Sequence, residues 1–504
     1  MTTGNDVSRS TAGAELKQWF GHPRGLSTLF FTEMWERFSY YGMRALLVLF
    51  MTTAVAVQNG GLGFSVEKAA AIYGLYTAGV YLLALPGGWV ADKIWGQRKA
   101  VFVGGCIIAL GHFSLAIPNM VTFYLGLCLI VLGTGLLKPN VSTIVGYLYP
   151  EGGARRDAGF SIFYMGINLG AMLGPFICST LGEGYNWHWG FSAAGFGMLL
   201  GLIQYKFGEK YLGQAGLLLG DEPREVVAKR ARGFYGVLAA VAVVLAAFIF
   251  AGTRGLITVS LQQVATWLGY GIVALAIFYF VYLFVAGGYD RDEKKRLLVI
   301  FWLFLLAAVF WSGFEQAGSS LNLFARDLTN RTYFGWEMPA GWLQNINPIF
   351  IIVFAPIFGW LWTFLAKRNA NPSIPLKFAM GLLGLSVGFF VLSWGASNTS
   401  ITDKVSPAWL IVTYFFHTCG ELCLSPVGLS SITKLAPRDR VSQMMGIWFV
   451  GAALGNLFAG LVAGRLETLQ PADLFRNVAI YVIIASAVAF LATPLVKKGI
   501  RGIE

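Results

Sequence analysis

The chain has 504 residues, of which 56% are apolar and only 12% charged, and its mean hydropathy is +0.64. Soluble proteins carry roughly 25% charged residues, and burial saturates as a single core stops growing, so a soluble enzyme and a disordered chain are excluded. The net charge of +12 does not point to nucleic acid, because the basic residues stand in small groups between long apolar runs rather than on one face. The composition predicts a polytopic α-helical membrane protein.

A membrane crossing needs about 20 mostly apolar residues. Such blocks are read at 25–54, 66–91, 98–117, 120–147, 157–181, 187–207, 233–252 and 260–287, then at 297–324, 342–366, 373–396, 405–434, 440–465 and 472–495. That gives fourteen helices. A membrane β-barrel would instead show alternating segments of half this length. Residues 1–24 are polar, with no apolar block or cleavage site. They read as a cytoplasmic tail, not a signal peptide.

Lys and Arg set the orientation. With the N-terminus inside, the cytoplasmic segments hold most of them, including Lys93, Arg98, Lys99, Lys206, Lys210, Arg224, Lys229 to Arg232, Arg291 to Arg296 and Lys497 to Arg501. The opposite side holds Lys68, Arg254, Arg326, Arg331, Lys404, Arg465 and Arg476. Both termini are therefore expected in the cytoplasm. The charged stretch after the sixth block divides the chain. The expected organisation is a tail (1–24), a six-helix bundle (25–207), a charged linker (208–232), an inserted two-helix hairpin (233–288), a second six-helix bundle (289–496) and a short tail (497–504). The inserted pair carries few ionisable residues and is expected to be structural or lipid-facing.

Cys106, Cys128, Cys178, Cys419 and Cys423 all fall inside spans, an odd number without a disulfide framework. Cys419 and Cys423 stand near His417 and Glu421, but cysteine in a packed helix is usually a small apolar residue. No metal or cofactor is expected. His22, His112, His188 and His417 are too scattered for a proton relay, and no Ser/His/Asp grouping occurs. The chain does not read as an enzyme.

A few charges lie where they are costly. In the first span Glu33, Glu36, Arg37, Tyr40, Tyr41 and Arg44 share one helical face. An intramembrane polar stripe must face the bundle interior or a watery cavity. Two acids beside one nearby Arg can share a proton, so these residues are candidates for proton coupling. Lys138 is alone in the fourth span, followed by Pro139 and Asn140. Its candidate acidic partners lie in the second half: Glu315 in the ninth span and Glu421 in the twelfth. A cavity with a cationic and an anionic wall suits a zwitterion, and ion pairs across the bundle interface suit alternating access. Trp311, Trp448, Tyr76, Tyr81, Asn168 and Asn347 extend the candidate lining.

The segment Gly88-Trp-Val-Ala-Asp92-Lys93-Ile-Trp-Gly96-Gln-Arg98-Lys99 resembles the cytoplasmic loop motif of the major facilitator superfamily. Further motifs resemble the proton-dependent oligopeptide transporters: Glu33-x-x-Glu36-Arg37-Phe38-x-Tyr40-Tyr41, the run through Lys138-Pro139-Asn140, Phe163-Tyr164-x-x-Ile167-Asn168, Phe314-Glu315-Gln316, and Glu421-Leu422-x-Leu424-Ser425-Pro426. Bacterial members have two extra helices between the bundles, as counted here. The resemblance implies a major facilitator fold and proton-coupled import of di- and tripeptides across the bacterial inner membrane, with the lipid bilayer as surroundings, no nucleic acid partner and a functional monomer. It implies that Arg37 and Lys138, helped by Tyr40 and Tyr41, bind the peptide carboxylate. Glu421 would hold the α-ammonium, with Asn347 and Asn168 nearby, and Glu33 and Glu36 would couple protons. Glu315 would switch between Lys138 and Arg44. Gly88, Asp92, Gly96, Arg98 and Lys99 would brace the inner side, the Asp pairing with basic residues and helix ends. Animal members carry a histidine in span two that this sequence lacks, so coupling is expected to rest on carboxylates. A carrier of nitrate, an amino-acid derivative or a peptide-like drug is the alternative.

Overall fold

The computed structural model describes residues 18–151, 153–218, 223–254, 256, 258–397, 399–400, 402–437 and 441–500. Most of the predicted N-terminal tail, half of the C-terminal one, and the basic residues Arg438 and Arg440 lie outside them. Fourteen helices of 17 residues or more are present among the described residues.

The first six crossings are α1 (Gly25–Thr52), α2 (Val66–Leu82) continued by α3 (Ala84–Val90) and a wide turn at Ala91–Trp95, α4 (Gln97–Leu115), α5 (Met120–Tyr147), α6 (Gly153–Gly184) and α7 (Trp187–Gly208). The inserted pair is α8 (Arg224–Thr253) and α9 (Leu261–Ala286). The second half runs through α10 (Arg291–Phe314), the short α11 (Ser320–Asp327), α12 (Ile346–Lys367), α13 (Ile374–Ser397), α14 (Ala408–Leu435), α15 (Val441–Ala463) and α16 (Pro471–Gly499). Among the described residues, eleven helical stretches are long and apolar enough to cross a membrane on length and composition alone. Helix α1 is not among them, because its charged residues sit at mid-helix.

Two boundaries differ from the sequence expectation for physical reasons. Helix α8 begins at Arg224, so the second part of the stretch read as linker is helical. Its Arg, Glu, Lys and Ala residues are good helix formers and follow a proline, which favours a helix start. The block 297–324 is not one helix. Helix α10 stops at Phe314, a 3-10 turn follows at Glu315–Gly318, and α11 starts after Ser319. The break falls on a charged residue.

Within the first bundle, α1 packs on α6 and α7, α4 on α5 and α7, and α2 on α5. In the second, α13 packs on α14 and α16, α10 on α15 and α16, and α12 on α14. The bundles meet along α2–α15 and α6–α12, while α9 lies against α2 and α15 and α8 touches the Ala91–Trp95 turn. Helices α2 and α15 cross at glycines: a Cβ placed on Gly460 would come within 2.7 Å of the Gly74 Cα. Polar contacts between the bundles gather at the end where α1 finishes and α2 begins. There Asn322 donates to the Ala45 carbonyl at 2.8 Å, and Arg326 to Thr52 Oγ1 at 2.8 Å.

Candidate binding cavity

The polar stripe of α1 faces inward as its spacing requires. Glu33, Glu36, Arg37 and Arg44 are all buried, and they are not left unpaired. Arg37 Nε lies 2.8 Å from Glu33 Oε1 and 2.7 Å from Glu36 Oε2. One guanidinium thus faces two carboxylates, one charge short of neutralising both, and any proton taken up by the pair leaves Arg37 with fewer ties. Two turns further on, Arg44 crosses to the second bundle. Its Nη2 meets Glu315 Oε2 at 2.8 Å, while its Nε donates to Tyr73 Oη at 2.6 Å. Glu315 stands at the C-cap of α10, where the helix gives way to the 3-10 turn.

Lys138 stands apart. Among the described residues no carboxylate lies within ion-pair distance, and its Nζ sits 3.9 Å from the centre of the Tyr81 ring. Its position on α5 is held by backbone. Pro139 lacks the N–H that would complete the ladder, and Asn140 Nδ2 donates to the Leu136 carbonyl at 2.7 Å and to the Gly87 carbonyl at 3.3 Å. A Cβ on Gly87 would collide with the Gly135 carbonyl. Helices α3 and α5 therefore touch backbone to backbone beside the lysine.

Across the cavity Glu421 is the isolated acid. Asn347 Nδ2 donates to its Oε2 at 3.1 Å and to Thr418 Oγ1 at 3.0 Å. Asn347 lies in the first turn of α12 and so can spare its side chain for a neighbouring helix.

These groups line one cavity of about 350 Å³ between the bundles. Glu33, Arg37, Tyr41, Arg44, Tyr81, Lys138 and Asn168 come from the first bundle, and Trp311, Glu315, Asn347, Glu421 and Trp448 from the second. A volume of this order holds a small molecule of a few residues. Charge is divided between its walls: three cations and Glu33 on one side face Glu421 and Glu315 on the other, with Arg37 joined to Glu33 and Arg44 to Glu315.

Two residues expected at the cavity, Tyr40 and Tyr76, lie behind its wall, as does the expected proton-coupling residue Glu36. Tyr40 is buried against Tyr76 (ring centres 6.2 Å apart) and Tyr41 (5.2 Å), and Glu36 is buried beneath Arg37. Neither reaches the cavity, because a helical face wide enough to hold six residues is wider than the strip facing the opening. The reading of Tyr40 as a direct ligand is corrected to a support for Tyr41. Glu315 is paired with Arg44; its alternative partner Lys138 is unpaired.

The loop motif also differs from expectation. Asp92 Oδ1 accepts from Gln97 Nε2 at 2.7 Å. Arg98 Nε donates to the Ala215 carbonyl at 2.6 Å, and its second amino group to the Gly213 carbonyl. Lys99 lies over the Trp95 ring. Both cations are already engaged, so Asp92 braces its own turn rather than a basic partner. Gly96 needs its glycine: φ is +79°, and a Cβ would approach the Leu218 nitrogen at 2.7 Å. Gly88 does not, since a Cβ there meets nothing within 4 Å.

Several wall residues escaped the sequence reading. Gln344 and Tyr164 line the cavity, as do His417 and Ser425. Gln344 precedes Asn347 by three positions and Tyr164 precedes Asn168 by four, so helical spacing from an identified polar residue was the available signal. Gln344 Nε2 and Trp311 Nε1 are buried without a hydrogen-bond partner among the described residues. Both are free to serve an occupant.

Known proteins resemble this chain in sequence and in fold. The family model described as "POT family" matches residues 98–473. The peptide transporter YePEPT of Yersinia enterocolitica is 43% identical over 96% of this chain and 96% of its own. A di-/tripeptide transporter of Lactococcus lactis is 37% identical over 95% and 97%. A crystal structure of the peptide transporter POT with sulfate superposes at a TM-score of 0.88, with 40% identity over 97% of this chain and 98% of that one. A POT family transporter solved with 5-aminolevulinic acid gives 0.87, with 34% identity over 95% and 98%. The fold is that of the major facilitators, and the chain belongs to the POT family of membrane transporters.

Proposed function

We propose that this protein is a proton-coupled symporter that imports di- and tripeptides by alternating access, working as a monomer in a bacterial inner membrane with its basic loops and both termini in the cytoplasm. The observation that carries the substrate class is the opposition of Lys138 and Glu421 across one cavity. Lys138 holds an intramembrane charge with no ion pair, and such a charge is costly unless something answers it. A peptide carboxylate supplies that answer at Lys138 and Arg37, while its α-ammonium meets Glu421, oriented by Asn347. Contacts to the two termini leave side chains free against Trp311, Trp448 and Tyr81, so selectivity among side chains is broad.

Coupling follows from the ion pairs. Arg44 and Glu315 tie the bundles together at the cavity wall, and Glu33 with Glu36 restrains Arg37. A proton on Glu315 removes the charge that holds Arg44, and a proton on Glu33 or Glu36 releases Arg37 toward the peptide. Each proton thus changes which groups bridge the bundles, the requirement for linking a gradient to rocking.

Purified protein in proteoliposomes is expected to accumulate dialanine only under an inward proton gradient. Uptake that is unaffected by collapsing the gradient would overturn the coupling. A second reading, a carrier of a small amino-acid derivative, is favoured by the relative solved with 5-aminolevulinic acid, itself a compound with an amine and a carboxylate. Competition between that compound and a peptide panel separates the two.

A further inference from the structure

We propose that Glu183 and Arg326, assisted by Glu467, are positioning residues that hold one end of the cavity shut by capping helix ends in the opposite bundle. The inference rests on the reading of this chain as an alternating-access carrier and adds a set of gate residues to it.

Three charged side chains at the end where α1 finishes and α2 begins reach across the bundle interface, and each binds backbone. Glu183, near the end of α6, accepts from the Ala340 N–H at 2.7 Å and the Gly341 N–H at 2.9 Å. These are the first N–H groups of the continuous helical stretch Ala340–Lys367. Arg326, on α11, donates to Thr52 Oγ1 at 2.8 Å and to the Leu49 carbonyl at 3.3 Å, at the last turn of α1. Glu467, just after α15, accepts from the Val66 N–H at 2.7 Å and the Glu67 N–H at 3.4 Å, the first of α2.

The signs agree in every case. A helix start presents free N–H groups and partial positive charge, a helix end presents free carbonyls and partial negative charge. Both carboxylates sit on starts and the guanidinium sits on an end. The first bundle caps the second once and is capped by it twice. Trp342 strengthens the Glu183 contact, its ring stacked 4.0 Å from Phe176 and its Nε1 donating to the Phe176 carbonyl at 3.1 Å and to Thr180 Oγ1 at 3.0 Å.

Separating the bundles at this end removes all three contacts together and returns the Ala340, Gly341, Val66 and Glu67 N–H groups to water, while the Leu49 carbonyl keeps its bond from the Thr53 N–H. The latch is therefore specific to one conformation, unlike a contact within a bundle. Its parts are unequal. Glu183 and Arg326 are partly buried, whereas Glu467 is exposed, and solvent weakens an exposed contact.

The test is a distance measurement between spin labels at Val57→Cys and Phe334→Cys, exposed positions on opposite bundles, with the five native cysteines replaced and peptide uptake confirmed in that background. Glu183→Ala and Arg326→Ala are each expected to raise the long-distance population about threefold or more, and Glu467→Ala less. Arg476→Ala, which breaks only the contact to Asp473 within α16, should leave it unchanged. Where an alanine variant aggregates, Glu183→Gln and Arg326→Lys are read instead, with smaller shifts in the same direction. Distributions identical to the parent in the Glu183 and Arg326 variants overturn the latch. A parent distribution that ignores dialanine and a proton gradient overturns the carrier reading instead, while opening caused by the variants still supports the latch.

Discussion

Arg44 and Glu315 meet at 2.8 Å across the two bundles, each with a side chain only 6% exposed. Deleting one member of such a pair strands the other, at a cost of about 3–5 kcal/mol. Glu315→Gln is therefore expected to lower the melting temperature in detergent and to abolish gradient-driven uptake. Arg44→Lys should fail similarly, because an ammonium cannot serve Glu315 and Tyr73 Oη with the same fixed fork. A double-mutant cycle on the two positions should give a coupling of at least about 1 kcal/mol; additive effects would show that the pair does not act as a unit.

Lys138 is predicted to behave in the opposite way. With no ion pair to lose, Lys138→Met should leave thermal stability unchanged or raise it, since an uncompensated intramembrane charge is removed. Dialanine uptake should nevertheless fall at least about tenfold. The diagnostic comparison is inhibition by dialanine and by its C-terminal amide. The parent prefers the free carboxylate and the variant loses that preference.

Glu421→Gln keeps an acceptor for the Asn347 amide, so the local geometry should survive. What disappears is the charge that answers an α-ammonium. Loss of a preference for free dialanine over its N-acetyl form, by at least about tenfold, is the expected outcome. An unchanged preference would remove Glu421 from the binding site.

Much of this site was legible in the sequence because charge in a membrane is conspicuous. Glu33, Glu36, Arg37, Arg44, Lys138, Glu315 and Glu421 stand out against apolar neighbours, and the structure gathers all of them at or directly behind one cavity wall. What periodicity could not tell is which side of a wide polar face reaches the opening, hence Tyr40. Nor could hydropathy reveal the break after Phe314, since the residues of the 3-10 turn are no more polar than the span around them except for Glu315 and Gln316. The partners of Arg98 lie on a loop, residues 213–216, whose path no pattern encodes, while Asp92 takes its bond from Gln97, five residues on.

A packing prediction separates Gly88, where the loop motif starts, from Gly87 just before it. Gly87→Ala forces a methyl into the Gly135 carbonyl and should cost about 1–3 kcal/mol. Gly88→Ala meets open space and should change stability by less than about 0.5 kcal/mol. Thermal unfolding of the two variants in the same detergent checks the difference.

The crossing of α2 and α15 at Gly74 and Gly460 has a mechanical consequence. Elsewhere the bundles are keyed by side chains, and keyed surfaces resist relative motion. At this crossing two bare backbones touch, with no teeth to disengage, so the contact can serve as a fulcrum. Displacement about a fulcrum grows with distance from it. Small changes among the charges near the centre would then be levered into large separations at the ends, and the stroke of the transporter would be set by where two residues lack a side chain.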